Sequence, residues 1–200
     1  MSYALFNGLW ITEHRKSGKM DGKDSIMLSH PYFCKNRTSG ICAKCYSKRI
    51  SGYRPCLATR QDQNTNVLKN NKFMPCKLHT VDSTLRWSST GEISNDQMFR
   101  NICSMVDHND HIYHQIWTKQ AGILKRNQDI IPYNLTIVWS ATKINVKKPF
   151  IPDFADIGFF VYSSEDKIPG NITHRCKGKC KDCGFCYKID SKGIVAEVLK

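Results

Sequence analysis

Four cysteines lie within eleven positions near the end of the chain, in the segment CKGKCKDCGFCY. They are separated by three, two and two residues, and we call them the tail group: Cys176, Cys180, Cys183 and Cys186. Zinc sites usually bring two cysteine pairs together across a loop of about a dozen residues or more, and this segment has no such loop. Overlapping short spacings are typical of thiolates that surround an iron-sulfur cubane. The tail group therefore predicts an iron-sulfur cluster, with zinc and redox-active thiols as alternatives.

Three further cysteines lie in a loop near the start of the chain, and we call them the loop trio: Cys34, Cys42 and Cys45. Three thiolates would leave one iron of a cubane open, to be filled by a distant cysteine, a water or a small molecule. An iron with an open coordination position would suit catalytic chemistry. The alternative is that both groups are structural, or that the loop trio takes a fourth ligand from the tail group. We expect structural roles for the isolated cysteines, Cys56, Cys76 and Cys103.

Short apolar runs that alternate with helical stretches must position these thiols. The runs predict strands over residues 25–29, 85–92, 112–119, 135–142 and 156–164. The intervening patterns predict helices over residues 57–70, 94–108 and 121–127, the first exposed and the second capped by Ser94. Strands separated by helices imply right-handed crossovers and a mainly parallel sheet. About five or six strands are too few for a closed eight-stranded barrel. The predicted fold class is therefore α/β, a partial, open parallel β/α barrel with a cysteine-rich tail.

Polar residues follow each predicted strand, where parallel sheets gather their functional groups. The loop trio follows the first strand, Gly91 and Glu92 end the second, Thr118 ends the third and Ser140 the fourth. The tail group follows the last long strand. We therefore expect the two cysteine groups to lie close together at one end of the sheet. The predicted organisation is an N-terminal extension over residues 1–24, the partial barrel over 25–170, and a metal-binding tail with a final strand over 171–200.

Charge and hydropathy narrow the compartment and the partners. Lysine and arginine exceed aspartate and glutamate by 13, which favours an anionic partner such as nucleic acid, or merely keeps the protein in solution. No window reaches the roughly 18 apolar residues of a membrane helix, and the first residues lack a secretory pattern. We expect no membrane association and a cytoplasmic location. Disulfides are rare in that compartment, so clustered cysteines favour metal ligation.

Several segments, taken in order, resemble the phage and plasmid family called gene product 88-like. They are the C-x2-CY of the loop trio, SGYRP with ATRQDQN, RWSSTGE, IWTK, VWSAT and the terminal C-x2-CGFCY. The corresponding family pattern is a cysteine loop ending in CYA, strand ends R-x-H-x-SGD and YTRS, and a terminal CxxCGLCW. The resemblance spans roughly residues 25 to 200. It implies a phage-encoded protein of the host cytoplasm, with a scaffold similar to the radical S-adenosylmethionine barrels.

In those barrels a three-cysteine loop after the first strand holds a [4Fe-4S] cluster with an open iron. A Gly-Gly-Glu-like segment at the end of the second strand binds the amino group of S-adenosylmethionine. The resemblance thus implies one or two [4Fe-4S] clusters, with cofactor-binding residues Gly91, Glu92, Thr118 and Ser140. The radical enzymes use C-x3-C-x-aromatic-C, whereas the loop trio is C-x7-C-x2-C, and Ser88 stands where the family has histidine.

Two functions remain open from the sequence. The first is an iron-sulfur protein on a radical S-adenosylmethionine-like scaffold, either an enzyme or a reduced relative without radical chemistry. The second is a basic phage accessory protein that binds nucleic acid or a host protein, in which iron-sulfur or zinc only stabilises the fold. The second would use basic residues interleaved with tyrosines: Lys44, Lys48, Arg49, Arg54 and Arg60 with Tyr46 and Tyr53.

Overall fold

The computed structural model describes residues 2–14, 19–35, 37–81 and 83–199, and all structural statements below concern these ranges. Within them the chain forms nine strands. The strands are β1 Ser2–Phe6, β2 Leu9–His14, β3 Lys23–Ile26, β4 Thr84–Trp87, β5 Tyr113–Thr118, β6 Leu135–Ile144, β7 Ile157–Tyr162, β8 His174–Arg175 and β9 Gly193–Val198.

All nine strands belong to one sheet, in the order β1-β2-β3-β4-β5-β6-β7-β9-β8. The pairings among β1, β2 and β3 are antiparallel, and every pairing from β3 to β8 is parallel. The two outer strands of this order do not pair with each other in the described ranges, so the sheet is not closed. This confirms the predicted α/β class with an open, mostly parallel sheet.

The first 24 residues, predicted as an extension, contribute β1 and β2 to the sheet. Asn7 and Gly8 join these strands with φ angles of 44° and 84°. Two consecutive residues with positive φ make the type I′ turn that matches the twist of a hairpin, and Asn-Gly is its preferred sequence. Strands from all three predicted segments therefore join one sheet, and the division into three domains stays a prediction.

Seven helices occur in the described part of the chain, four of them between β3 and β4. They are α1 Tyr32–Lys35, α2 Gly40–Ala43, α3 Tyr46–Tyr53, α4 Pro55–Lys69, α5 Asp96–His108, α6 Ala121–Arg126 and α7 Cys180–Cys183. The loop trio, expected in an open loop, lies among α1, α2 and the start of α3. No helix described here is long and apolar enough to cross a membrane.

Helices α4 and α5 cover one face of the sheet. Met98, Phe99 and Ile102 of α5 pack with strand residues such as Ile116 and Ile137 in the largest core cluster. Helix α5 begins one residue later than predicted, because Asn95 rather than Ser94 is the N-cap and accepts a hydrogen bond from the Met98 amide at 2.9 Å.

Helix α4 is less exposed than its polar sequence predicted. Leu57 and Leu68 are buried, and Asn64 is 1% exposed. The Asn64 amide donates to the carbonyl oxygens of Trp10 and Met27 at 3.0 and 2.9 Å. The prediction of an exposed helix was wrong for this face, because buried polar side chains here satisfy backbone groups of the neighbouring segments.

The opposite face of the sheet, which we call the inner face, is covered by the segment between β8 and β9. Phe185, Cys176 and Cys186 of that segment pack against Val138, Phe159 and other strand residues in a second core cluster. Because both faces are covered, β7 is buried along its whole length. The tail group is therefore part of the packed fold.

The isolated cysteines differ in their surroundings. Cys103 is 3% exposed within the α5 core, as predicted for a small buried hydrophobe, and burial raises its pKa to about 12. Cys76 packs half-buried against the same core, whereas Cys56 is exposed. The expectation of a structural role therefore finds packing contacts for Cys103 and Cys76.

Candidate functional site

A cavity of about 370 Å³ opens at the carboxyl ends of the parallel strands. All three thiols of the loop trio line it, together with residues that follow β4 and β5. Gly91, Glu92 and Ser140, three of the four predicted cofactor-binding residues, also line this cavity. The sequence argument that polar groups converge after the strands therefore holds at this edge.

The cysteine segment is seated on the sheet through Gly40. This residue has a φ of 60°, and a Cβ there would lie 2.2 Å from the Thr142 carbonyl oxygen in β6. Only glycine allows this approach of α2 to the strand. Cys45, the last cysteine of the loop trio, is the N-cap of α3, and its sulfur accepts a hydrogen bond from the Lys48 amide at 3.5 Å.

Cys42 and Cys45 lie close enough to Cys34 to influence the ionisation of its thiol. Burial is the largest cause that raises the pKa of the Cys34 thiol, and the neighbouring Cys45, Glu92 and Cys42 raise it further. The charge of Lys119 lowers this pKa in part. Three thiolates beside a carboxylate would repel one another without a cation between them. A bound metal would supply that cation, since coordination deprotonates a thiol outright.

Glu92 is 5% exposed and is held by three donors. Its Oε1 accepts from the Thr118 hydroxyl at 2.5 Å and from the Ile93 amide at 3.0 Å, and its Oε2 accepts from the Lys119 amide at 2.9 Å. Burial nevertheless raises its pKa, because loss of water outweighs these hydrogen bonds. Thr118, predicted to bind a cofactor, therefore contacts the carboxylate that lines the cavity and holds it in place.

Gly91 fixes the approach of this segment to the first parallel strand. Its φ is 75°, and a Cβ would lie 1.9 Å from the Leu28 carbonyl oxygen. The Glu92 amide then donates to the Ser29 carbonyl at 3.2 Å. The close contact sets the glutamate beside the loop trio.

The tail group lines a second, much smaller hollow of about 20 Å³. Burial raises the pKa of Cys186 to about 12, and the nearby thiols of Cys176, Cys180 and Cys183 raise it further, whereas Arg86 lowers it. Cys180 shows the same upward shift of its pKa, again mainly from burial. The four thiols therefore lie within electrostatic reach of one another.

His174 is a further polar side chain that lines this hollow. Its Nε2 lies 3.0 Å from the Cys183 sulfur, and its ring stacks on Phe185 with centroids 4.6 Å apart and planes 4° apart. Sequence reasoning missed this residue, because its position depends on the pairing of β8 with β9. The stack fixes the imidazole beside the sulfur.

The described residues contain no group of three or more His, Cys, Asp or Glu side chains arranged closely enough to hold a metal ion. The donor sets nevertheless suit soft metals in their chemistry, since seven thiols line two hollows, three in one and four in the other. The residues that would hold metal are those of the loop trio and the tail group.

The two hollows share a wall, in agreement with the expected closeness of the cysteine groups. Trp117 lines both of them. Arg86 lines the cavity of the loop trio, and its guanidinium carbon lies 4.1 Å from the centroid of the Trp117 ring. Burial raises the pKa of Cys180 in the tail group, and the charge of Arg86 opposes that rise. Neither residue was singled out from the sequence.

Comparison with known proteins gives one family match. The sequence pattern described as Gene product 88 matches residues 10–189. The match begins earlier than the resemblance noted from the motifs, and it includes most of β2, the strands β3 to β8 and the tail group, but ends before β9. No curated protein and no solved structure matches the chain.

Proposed function

This chain belongs to the Gene product 88 family, and from that premise we propose that it is a phage-encoded iron-sulfur protein on a radical S-adenosylmethionine-like scaffold. In this proposal the loop trio holds a [4Fe-4S] cluster with an open iron, and the tail group holds an auxiliary cluster. The observation that carries the proposal is the gathering of the three loop thiols and Glu92 around one cavity. When bound, a cluster of this kind supplies one-electron chemistry.

The tail group supports the auxiliary cluster through its surroundings. Cys176 and Cys186 are half-buried against the inner-face core, and Lys19, whose ammonium lies 5.3 Å from the Phe159 ring centroid, lines the same hollow. The Lys19 charge also lowers the pKa of Cys180. A nearby ammonium offsets the negative charge of thiolate ligands, and burial protects a cluster from solvent.

The order of the parts along the sheet supports the scaffold. The loop trio follows β3, the first parallel strand, and Glu92 follows β4, its parallel neighbour. Within the proposal Glu92, held by Thr118 and two backbone amides, receives the ammonium of S-adenosylmethionine, while Gly91 and Ser140 line the space around the cofactor. The unusual C-x7-C-x2-C spacing favours a reduced relative, in which the clusters persist and radical cleavage has been lost.

Anaerobic purification with iron, sulfide and zinc analysis tests the iron-sulfur assignment. We expect a brown protein with iron and acid-labile sulfide in equal amounts. Cys42→Ser and Cys183→Ser should each lower the iron content and the sulfide content together. The matched control is Cys56→Ser, since Cys56 is exposed and lies outside both groups. Colourless protein with stoichiometric zinc would refute the cluster assignment for both groups.

Reduction in the presence of S-adenosylmethionine separates an enzyme from a reduced relative. Formation of 5′-deoxyadenosine that depends on Glu92 and Cys42 would establish radical cleavage. Full cluster content with no such product would assign the chain to the reduced, non-catalytic class.

A second candidate is a basic accessory protein that binds nucleic acid or host machinery, with a purely structural iron-sulfur or zinc site. The observation that favours it is the exposed aromatic and basic surface of the loop trio segment. No residue of α3 is buried, and Tyr32, Tyr46 and Tyr53 are 83%, 64% and 79% exposed. Exposed tyrosines interleaved with Lys44, Arg49 and their neighbours suit stacked bases and phosphates.

Gel-shift titration with single-stranded nucleic acid at several salt concentrations tests this candidate. We expect Tyr46→Ala with Tyr53→Ala to weaken binding about tenfold or more, since stacking contributes about 1–3 kcal/mol per base. Tyr133→Ala is the control, because Tyr133 is 78% exposed and far from α3 in sequence. Equal affinity in all three proteins would exclude α3 as the binding surface.

A further inference from the structure

Three side-chain N–H groups on adjacent strands are buried and have no hydrogen-bond partner among the described residues. They are the Nε of Arg86, the Nε2 of Gln115 and the Nε1 of Trp117. Gln115 is 1% exposed, and its Oε1 also lacks a partner. Unsatisfied buried donors are costly and rare, so a group of them needs a physical explanation.

The three donors form one patch on the inner face. Arg86 of β4 is the register partner of Gln115 on β5, and Trp117 follows two residues later on the same face of β5. The Arg86 guanidinium lies 4.1 Å from the centroid of the Trp117 ring. We call Arg86, Gln115 and Trp117 the donor patch.

The donor patch has an excess of positive charge. Arg86 forms no ion pair with a carboxylate in the described ranges, and its Nη1 donates to the sulfur of Met20 at 3.2 Å. The guanidinium also hydrogen-bonds to the Tyr187 hydroxyl. The adjoining cavity adds Lys44 and Lys119, whereas Glu92, the one carboxylate among the described residues that line it, is already held by three donors.

The patch is reachable from the cavity of the loop trio, since Arg86 and Trp117 both line that cavity. Its volume of about 370 Å³ lies within the range of small-molecule sites, which is roughly 300–1,000 Å³. Two of the three donor residues, Arg86 and Trp117, thus belong to the cavity wall, and Gln115, which does not line the cavity, is the register partner of Arg86.

We propose that the donor patch binds an oxyanion, namely the carboxylate or phosphate group of a small molecule that occupies the cavity of the loop trio. An oxyanion offers several acceptor lone pairs and a negative charge, which match N–H donors and an unpaired guanidinium. The proposal does not depend on the clusters, because the donors belong to the strands and are present with or without metal.

Isothermal titration of the anaerobically purified full-length protein tests the proposal. The probes are inorganic phosphate and succinate, added at constant ionic strength in chloride buffer so that weak surface binding is screened. We expect saturable binding of one anion per chain, and the tighter of the two probes identifies phosphate or carboxylate as the recognised group.

Trp117→Phe is the decisive variant, since it removes the Nε1 donor and keeps a ring beneath the guanidinium. We expect its affinity for the bound anion to fall about tenfold, as for other hydrogen bonds to charged groups. Arg86→Gln should weaken binding further. The matched control is Trp139→Phe, because Trp139 packs against Phe160 and Phe150, away from the donor patch, and its affinity should equal that of the wild type.

Absence of saturable binding of either anion to the wild type would overturn the proposal, as would equal affinities of wild type and Trp117→Phe. Iron and sulfide are measured on the same samples. Loss of the clusters with retained anion binding would refute the proposed function alone, and clusters without anion binding would refute only the donor patch.

Discussion

The loop trio and the tail group place the same side chain in two different settings. The loop trio lines a cavity of about 370 Å³ on short, half-exposed helices, whereas the tail group lines a hollow of about 20 Å³ packed against the inner-face core. The first setting has room for a small-molecule ligand, and the second is a small hollow enclosed by the packed fold. The spacing of the cysteines predicts ligation in both regions, and their different surroundings lead us to expect different roles for the two groups.

The largest expected effect comes from removing one thiol in each region. Under the proposed function, Cys186→Ser should remove the metal of the tail group and lower the unfolding free energy by roughly 3 kcal/mol, because a metal bound there would be coupled to packing of the inner-face core. Cys42→Ser should remove only the metal of the loop trio, with little change in stability. Metal content and chemical denaturation, measured on both variants, check this. Equal losses of stability would erase the proposed difference between the two regions.

Gly91→Ala should damage the region of the loop trio alone. The new Cβ would lie 1.9 Å from the Leu28 carbonyl oxygen at a φ of 75°, so we expect a loss of roughly 3 kcal/mol and less iron at the loop trio. The control is Gly52→Ala in α3, where a Cβ meets nothing within 4 Å. The higher helix propensity of alanine should raise the unfolding free energy by up to about 1 kcal/mol. Urea denaturation with iron analysis distinguishes the pair. A neutral Gly91→Ala would contradict the close approach of the two segments.

His174→Phe sharpens the description of the tail group. Phenylalanine keeps the stack on Phe185 and removes the nitrogen that lies 3.0 Å from the Cys183 sulfur. We expect unchanged metal content and a more negative reduction potential, since a hydrogen bond to a cluster sulfur stabilises the reduced state. Redox titration measures the shift, with exposed His111→Phe as the control. Loss of metal in proportion to that of Cys183→Ser would instead make His174 a ligand.

The smallest expected effect is a pH dependence from Glu92. Burial raises the pKa of this carboxyl in the folded state, so folding favours its protonated form. Below the unfolded-state pKa both states are protonated and the group costs nothing. The stability contribution then falls as the pH rises through the unfolded-state pKa, and the full penalty remains above the folded-state pKa. Glu92→Gln should lack this slope in urea denaturation between pH 4 and pH 8, within roughly the range where carboxyl groups titrate. Parallel pH profiles would show that Glu92 is not the group responsible.

The parallel core of the fold could be predicted because its strands are apolar runs separated by helices. The positions of Glu92 and Ser140 at the cavity followed from the same rule about strand ends. The hairpin at Asn7 and Gly8 was missed although its turn sequence carries a strong signal. Strand β8 has only two residues, which are too few to show a strand pattern in the sequence, and it forms through its pairing with β9.

The donor patch could not be recognised from local sequence. In β4, leucine and tryptophan alternate with threonine and arginine, which is the pattern of a strand with one solvated face. That face is covered here by the segment that holds the tail group, so Arg86 is half-buried and Gln115 is buried. His174 was missed for a related reason, since its contact with Cys183 arises from strand pairing and not from ligand spacing.

Iron and sulfide content of anaerobically purified wild type, Cys42→Ser and Cys183→Ser tests the central claim most directly. The account predicts about four iron and four sulfide per cluster, with each variant losing the share of its own group and retaining that of the other. Zinc without sulfide, or loss of all metal from either single variant, would contradict the assignment of two separate iron-sulfur centres.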